Sequence, residues 1–489
     1  MLNKQVVSNA LVDIPLSTLN RHGLVTGATG TGKTKSLQYL CEQLSSNGVP
    51  VLMMDVKGDV SGISQPWVLN DTIRSRMDTI WLPREPKQFP VEFLTLNSEP
   101  GVKLRATVSE MGPILMSKLL ELNETQWSVL SIIFKYCDDN KLLLINLEDL
   151  KKVILYVWVH NNELAASYGQ IADTTLSVIT RSILELENHG GADLFGEPSL
   201  DIHDLMRTNS NWLGIINILR TSDIFLKPKL YTSFILSLLA ELFNILPEVG
   251  DLPQPKFVMI IDEAHLLFED MGNQIMDHIT GIIKLIRSKG VGIIFCTQSP
   301  NDIPEVILGQ LGLKIQHALR AFTPKDIKAI KLVAETFPLT DYYDTEKLIT
   351  ELGIGEALIT CINEKWHPSM LAHTMIASPS SRMGTITDQE FQSIINQSLL
   401  VWKYALTNDP VSAADMLAQK LSSSPSASDS PNEWSNFFKR IFDNQIVKTM
   451  GNYAVKELAR WALGKLGIKG TMKTAWTNMI GSIFGKLMK

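Results

Sequence analysis

Short, unbroken apolar runs alternate along this chain with longer stretches in which apolar residues return every three or four positions. Leu24-Val25-Thr26, Val51-Leu52-Met53-Met54-Asp55, the run at 213–218, Phe257-Val258-Met259-Ile260-Ile261 and Gly292-Ile293-Ile294-Phe295-Cys296 are of the first kind. A strand covered on both faces reads this way, because neither set of alternating side chains meets water. The stretch 35–44 is of the second kind, with Leu37, Leu40, Cys41 and Leu44 on one helical face. The stretch 229–246 predicts a second, long helix. Strand, helix and strand within about thirty residues make a βαβ unit with a right-handed crossover. The pattern predicts an α/β fold on a mostly parallel sheet with helices on both faces.

Between 113 and 187 the character changes. Proline and glycine almost vanish, and Trp127, Leu130, Ile133 and Phe134 recur at helical spacing. Asn123 with Gln126, and Asn146 with Asp149, are spaced as helix starts. An all-helical block is therefore expected inside the α/β domain. Ahead of it, 66–100 is proline-rich and aperiodic, which predicts loops and short strands. Beyond it, alternation at 313–319 predicts a strand, and 358–362 with 371–376 predicts a closing hairpin. The expected organisation is a core in two parts, 1–100 and 211–380, around a helical insertion at 101–210. A helical extension at 381–421, a Ser/Pro linker at 422–432 and a basic amphipathic helical tail at 433–489 follow.

Composition narrows the class. The chain has 489 residues, 45% hydrophobic and 20% charged, which suits a globular protein with a sizeable core. A net charge of −6 gives no global attraction to nucleic acid. The tail differs, with ten Lys/Arg against three Asp/Glu and Trp434, Phe437, Phe438, Ile441 and Phe442 at helical spacing. Such a segment suits an anionic surface, a partner protein, or a cap folded on the acidic body. Cys41, Cys137, Cys296 and Cys361 form no C-x-x-C pair, so neither a zinc site nor a disulfide frame is expected. The first residues lack the pattern of a signal peptide. The longest apolar stretch, 230–246, is broken by Thr232, Ser233, Ser237, Glu241 and Asn244, so no membrane span is expected and the cytoplasm is the expected location.

Candidate chemistry begins at Gly27-Ala28-Thr29-Gly30-Thr31-Gly32-Lys33-Thr34, which fits G-x-x-x-x-G-K-[ST] between a strand and a helix. The glycines, with Thr29 and Thr31, let backbone N–H groups wrap a polyphosphate, and the helix N-terminus adds partial positive charge. Lys33 would reach the β- and γ-phosphates of ATP, and Thr34 would place its hydroxyl on Mg²⁺. A flexible glycine turn before a helix is the plain alternative. The second anchor is Asp262-Glu263, directly after an apolar strand. Asp262 would hold Mg²⁺, and Glu263 would orient and deprotonate the attacking water. Such a pair also occurs as a strand-to-helix cap, and the glycine loop upstream favours catalysis. Gln298, after the strand at 292–296, would touch the γ-phosphate and the lytic water, or cap the next turn. Asp55-Val56-Lys57-Gly58-Asp59 ends another strand and reads equally as a turn or a ligand contact. His265 reads as a packed or capping residue, and the other histidines show no metal spacing.

GATGTGKT, DVKGD, IIDEAH, IRSKGVGIIFCTQSP and LGIGEAL, in that order, resemble the HerA–FtsK superfamily of ring-forming ATPases, and within it the bacterial HerA-like ATPases of the YjgR type. The resemblance covers 20 to about 380. It implies a RecA-like ASCE P-loop core, with one strand between the phosphate-loop strand and the Asp-Glu strand. It implies Lys33 and Thr34 on ATP, Asp262 and Glu263 on Mg²⁺ and water, and Gln298 as sensor. It also implies an arginine finger given to a neighbouring subunit, here Arg287, unless that residue merely ends its helix. Arg320, after the run at 313–319, is a second candidate. A homo-oligomer, a hexameric ring moving DNA, follows from the resemblance. The alternatives are an ATPase that moves protein and a nucleotide-gated binding module. Neither the N-terminal β-barrel of DNA-translocating HerA proteins nor the membrane spans and winged helix of FtsK-type motors are expected from these residues.

Overall fold

The computed structural model describes residues 1–422, except 2–4, 8–9, 83–84, 98, 222–226, 270–272, 322, 364 and 406–410. The tail expected at 433–489, and the linker beyond Ser422, lie outside the described residues. Among the described residues ten strands form one sheet: β1 Gly23–Thr26, β2 Val51–Asp55, β3 Val91–Thr95, β4 Val102–Lys103, β5 Ile216–Arg220, β6 Phe257–Ile261, β7 Val291–Thr297, β8 Leu313–Gln316, β9 Glu356–Cys361 and β10 Ala372–Met375. Their order is β10-β9-β8-β1-β7-β6-β2-β5-β3-β4. Every neighbouring pair from β8 to β4 is parallel, while β9 runs antiparallel to both β8 and β10. The hairpin expected at the end of the core is therefore present.

The central strands are buried along their whole length, as their unbroken apolar runs require. Helix α1, Lys33–Ser46, covers one face: Leu37, Leu40, Cys41 and Leu44 join Val25, Val51, Met53 and Ile260 in one core. Cys41 Sγ lies 3.6 Å from Met53 Sδ. Successive strand residues point to opposite faces, so Met54 faces away from α1. There the Tyr231 hydroxyl donates to its sulfur at 2.7 Å, from the helix Pro228–Ile245. Helices thus cover both faces.

The stretch 66–100 holds a helix that its pattern does not predict: α2, Asp71–Ile80, whose first turn is capped by the Asn70 side chain. Only Ile73 of α2 is buried; Met77 and Ile80 follow it at helical spacing, but three apolar positions in ten residues make a weak signal.

The chain falls into two compact units. The first comprises Met1–Ala106 and Asp193–Asn408 and carries the sheet. The second comprises Thr107–Ala192 and the chain from Asp409. In the second, Asn123 with Gln126 and Asn146 with Asp149 form reciprocal caps for the helices Glu124–Asp139 and Leu147–Val159. Leu130, Ile133 and Phe134 are buried, so the expected helical face is the inward one. The helix Ala413–Ser422 belongs to this unit, with Ala414 N–H donating to Asp149 Oδ1 at 3.3 Å.

Candidate nucleotide site

Because β1, β7, β6 and β2 are adjacent and parallel, the segments that follow them leave the sheet along one carboxyl edge. That edge gathers the phosphate loop after β1, Gln298 after β7, Asp262 and Glu263 after β6, and the Asp55–Asp59 loop after β2. One strand, β7, lies between the phosphate-loop strand and the Asp-Glu strand, as the ASCE arrangement requires.

The phosphate loop has a conformation only glycine accepts easily. Gly27, Gly30 and Gly32 have φ of 152°, 78° and 109°. A Cβ on Gly27 would lie 2.5 Å from His317 Cβ. Ala28 N–H donates to Ala318 O at 2.8 Å, and Thr31 Oγ1 donates to Ala28 O at 2.7 Å. Thr31 O accepts from Gly355 N–H at 3.0 Å, which ties the loop to the turn ahead of β9. Thr29 and Gly30 are exposed at its tip. Lys33 is buried, and its ammonium donates to the carbonyls of Gly27 and Ala28. Burial pushes it below the usual lysine range. Thr34 follows on the first turn of α1.

His317 braces this loop, a part that its sequence position does not announce. Its Nδ1 lies 2.9 Å from Glu356 O and its Nε2 lies 3.0 Å from Ser36 Oγ. A carbonyl only accepts, so in the neutral ring Nδ1 carries the proton and Nε2 accepts from the Ser36 hydroxyl. Burial pushes its pKa down to about 4.

Asp262 Oδ1 accepts from Glu263 N–H at 3.0 Å. Burial pushes Asp262 above the usual carboxylate range; the Cys296 thiol's hydrogen bond opposes that shift and the Glu263 charge adds to it. Glu263 has φ of 46°, a left-handed backbone that turns its buried carboxylate across the edge. Its Oε1 lies 3.0 Å from Lys57 Nζ, its Oε2 lies 3.5 Å from His265 Nδ1, and Oε2 has no hydrogen-bond partner. Asp55 spends its carboxylate on its own loop, accepting from Gly58 N–H at 2.7 Å and Val60 N–H at 3.1 Å. Of that loop, which the sequence already marks as DVKGD, it is Lys57 that faces Glu263.

The remaining candidates are spread more widely. Gln298 is exposed one residue beyond β7, and the cap of the following turn falls to Ser299 and Asp302. Arg320 lies beyond β8, beside the phosphate loop, with its guanidinium on Thr350 O at 2.9 Å. Arg287 precedes β7, at the opposite edge of the sheet. A seven-residue strand separates it from this site, about 20 Å at the usual rise.

The residues present fit a magnesium nucleotide. The loop offers backbone donors, Lys33 holds only loop carbonyls that a phosphate can replace, and a buried carboxylate oxygen awaits a donor such as water. Among the described residues no group of three or more His, Cys, Asp or Glu could hold a metal ion. A divalent ion here would share Thr34, Asp262, water and phosphate oxygens, the mode usual for Mg²⁺.

Three kinds of likeness bear on this site. The family model described as "Helicase HerA-like C-terminal" matches residues 2–487. The DNA double-strand break repair helicase HerA of Sulfolobus acidocaldarius is 24% identical over 384 residues, covering 73% of this chain and 66% of that protein. The HerA helicase of Sulfurisphaera tokodaii is 24% identical over 366 residues, with the same 73% and 66% coverage. The chain thus spans just under two thirds of these relatives. Among solved structures, the bacterial conjugative coupling protein TrwB superposes with a TM-score of 0.50 at 14% identity, over 78% of this chain and 92% of that one. TrwB bound to a non-hydrolysable ATP analogue gives the same values. At this identity the likeness establishes the fold.

Proposed function

The chain belongs to the HerA-like helicase C-terminal family, within the HerA–FtsK superfamily of P-loop ATPases, and from that membership we propose that it is a Mg²⁺-dependent ATPase working on DNA as a homo-oligomeric ring. The observation that carries the reading is the meeting of Lys33, Asp262 and Glu263 at one sheet edge, with β7 between their strands.

The chemistry follows from these groups. Loop N–H donors and the α1 N-terminus bind the β-phosphate, and Lys33 leaves the Gly27 and Ala28 carbonyls for the β- and γ-oxygens. Thr34 and Asp262 hold Mg²⁺, whose charge offsets that of the phosphates. Glu263 orients the attacking water and takes its proton at the unpartnered Oε2. Gln298 hydrogen-bonds the same water or the γ-phosphate. Arg287, on the far edge of its own sheet, serves a second copy's site, which calls for a head-to-tail assembly that closes as a ring. Arg320 stands beside its own chain's loop and is the lesser candidate for that role. DNA as the polymer rests on the HerA relatives.

Steady-state ATP hydrolysis with and without DNA, on protein sized by light scattering in the same buffer, tests the reading. A ring whose turnover rises with DNA and falls steeply with salt supports it. Turnover indifferent to DNA removes the DNA assignment, and a monomer without turnover removes the motor.

A further inference from the structure

The turn Gly353-Ile354-Gly355 lies against the phosphate loop without taking part in hydrolysis. Gly355 has φ of 74°, and its N–H donates to Thr31 O at 3.0 Å. A Cβ on Gly32 would lie 3.1 Å from Gly355 N, so the two backbones touch. The turn is also closed on itself. Glu356 N–H donates to Gly353 O at 3.1 Å, and Gly353 N–H donates to Glu356 Oε2 at 3.0 Å. Ile354, at its apex, is 72% exposed. A single exposed isoleucine is ordinary on a protein surface. The side chain beside it is less so.

Arg76, on α2, donates from Nη2 to Ile354 O at 2.8 Å. A Cβ on Gly355 would lie 2.6 Å from that nitrogen, so only glycine lets the guanidinium rest on the turn. Its Nη1 is shut off from solvent and has no hydrogen-bond partner. A donor of a charged group left so is costly, and an acceptor brought to it recovers the cost. The direction of the nucleotide places one there. Strand β1 has β7 on one side and β8, then β9, on the other. Asp262, Glu263 and Gln298 follow β6 and β7, so the γ-phosphate end points to that side. The opposite end, with its sugar and base, leaves the loop toward β8 and β9, where this turn stands.

We propose that Ile354 and Arg76 seat the nucleoside: Ile354 packs on one face of the base, and Arg76 Nη1 donates to an acceptor on the base or sugar. An aliphatic side chain and a planar guanidinium both suit the flat face of a base. This rests on the nucleotide-site reading above and adds which residues hold the end of ATP that is not hydrolysed.

The test is calorimetry on the full chain with a non-hydrolysable ATP analogue and with inorganic tripolyphosphate, each with Mg²⁺. Tripolyphosphate carries the phosphates without the nucleoside. The wild type is expected to bind the analogue more tightly by at least about tenfold. Arg76→Met should weaken the analogue about tenfold, the worth of one charge-assisted hydrogen bond, and Ile354→Ala about fivefold. Both variants should leave tripolyphosphate within about twofold, which also shows that the phosphate loop is folded. Equal wild-type affinity for the two ligands overturns the seat. So does a variant that weakens both ligands alike, since a turn that merely braces the loop would act so, and so do variants that weaken neither. Photolabelling with 2-azido-ATP gives a second readout. Attachment at 353–355 or at Arg76 is expected, and attachment elsewhere is incompatible with the seat. A wild type that binds neither ligand overturns the nucleotide-site reading itself.

Discussion

His317 should stay neutral far below the pH at which an ordinary histidine takes up its proton. The perturbation is acidification. Its neutral ring bridges Ser36 Oγ on α1 and the Glu356 carbonyl at the start of β9, and it sits against Gly27. A second proton on Nε2 would turn the acceptor for Ser36 into a donor and place a charge where burial already resists one. The folded ring titrates at about 4 against 6.5 for the free side chain. That difference corresponds to about 3 kcal/mol. Since the folded value lies below the unfolded one, the unfolded chain binds the proton first. The contribution to stability is complete above pH 6.5, falls as pH drops, and is gone near pH 4. His22 should behave alike: its Nε2 faces Ile283 O at 2.7 Å, its Nδ1 accepts from Ile293 N–H at 3.1 Å, and burial sets it at about 4. NMR of protein labelled with ¹³C in the histidine rings reads this directly. The His317 and His22 rings should remain neutral at pH 5, and the signals lost in His317→Asn and His22→Asn variants assign them. A His317 ring that titrates near 6.5 would refute the account of the loop's brace.

Other consequences are as direct. Lys33→Ala should abolish ATP binding, while Glu263→Gln should retain binding and lose hydrolysis by at least about a hundredfold; calorimetry and single-turnover hydrolysis separate the two, and normal turnover in Glu263→Gln would remove that residue from its role. Arg287→Ala should lose turnover yet regain part of it when mixed with Glu263→Gln, because a ring with both subunits pairs some intact sites with intact fingers; mixtures that never recover activity would argue against action in trans. Gly27→Ala puts a Cβ 2.5 Å from His317 Cβ at a φ of 152°. It should cost about 1–3 kcal/mol locally and weaken ATP binding more than tenfold, and an unchanged affinity would mean that the loop adjusts freely.

Much of the fold was legible because its signals are local. An unbroken run such as Phe257–Ile261, too short for a buried helix and bounded by Pro255 and Asp262, reads as a strand covered on both sides, and β6 is such a strand. Asn123 with Gln126 caps its helix through contacts three residues apart, so spacing suffices to find it. Helix α2 was missed, because its period is carried by only Ile73, Met77 and Ile80 in ten residues, and of these Ile73 alone is buried. Within the site, Lys33 and the Asp262-Glu263 pair announce themselves by sequence. Lys57 lies in the DVKGD run that the sequence marks, but its pairing with Glu263, like the brace formed by His317, depends on what the side chain faces.

By itself the sequence determined the central strands and the helices with a long apolar face, that a glycine loop precedes α1, and that two carboxylates follow β6. Hydrogen bonding within a turn and burial of a strand's faces act over a few residues, and composition records them. The tertiary structure alone decided that β7 separates β1 from β6, that Arg287 stands at the edge away from its own phosphate loop, and that Lys57 rests on Glu263. Strand order is chosen by packing of the whole sheet, and a charge pairs with whatever that packing brings within about 4 Å. Ser36 and His317 meet across 281 positions of chain, and no local pattern in a single sequence records such a meeting.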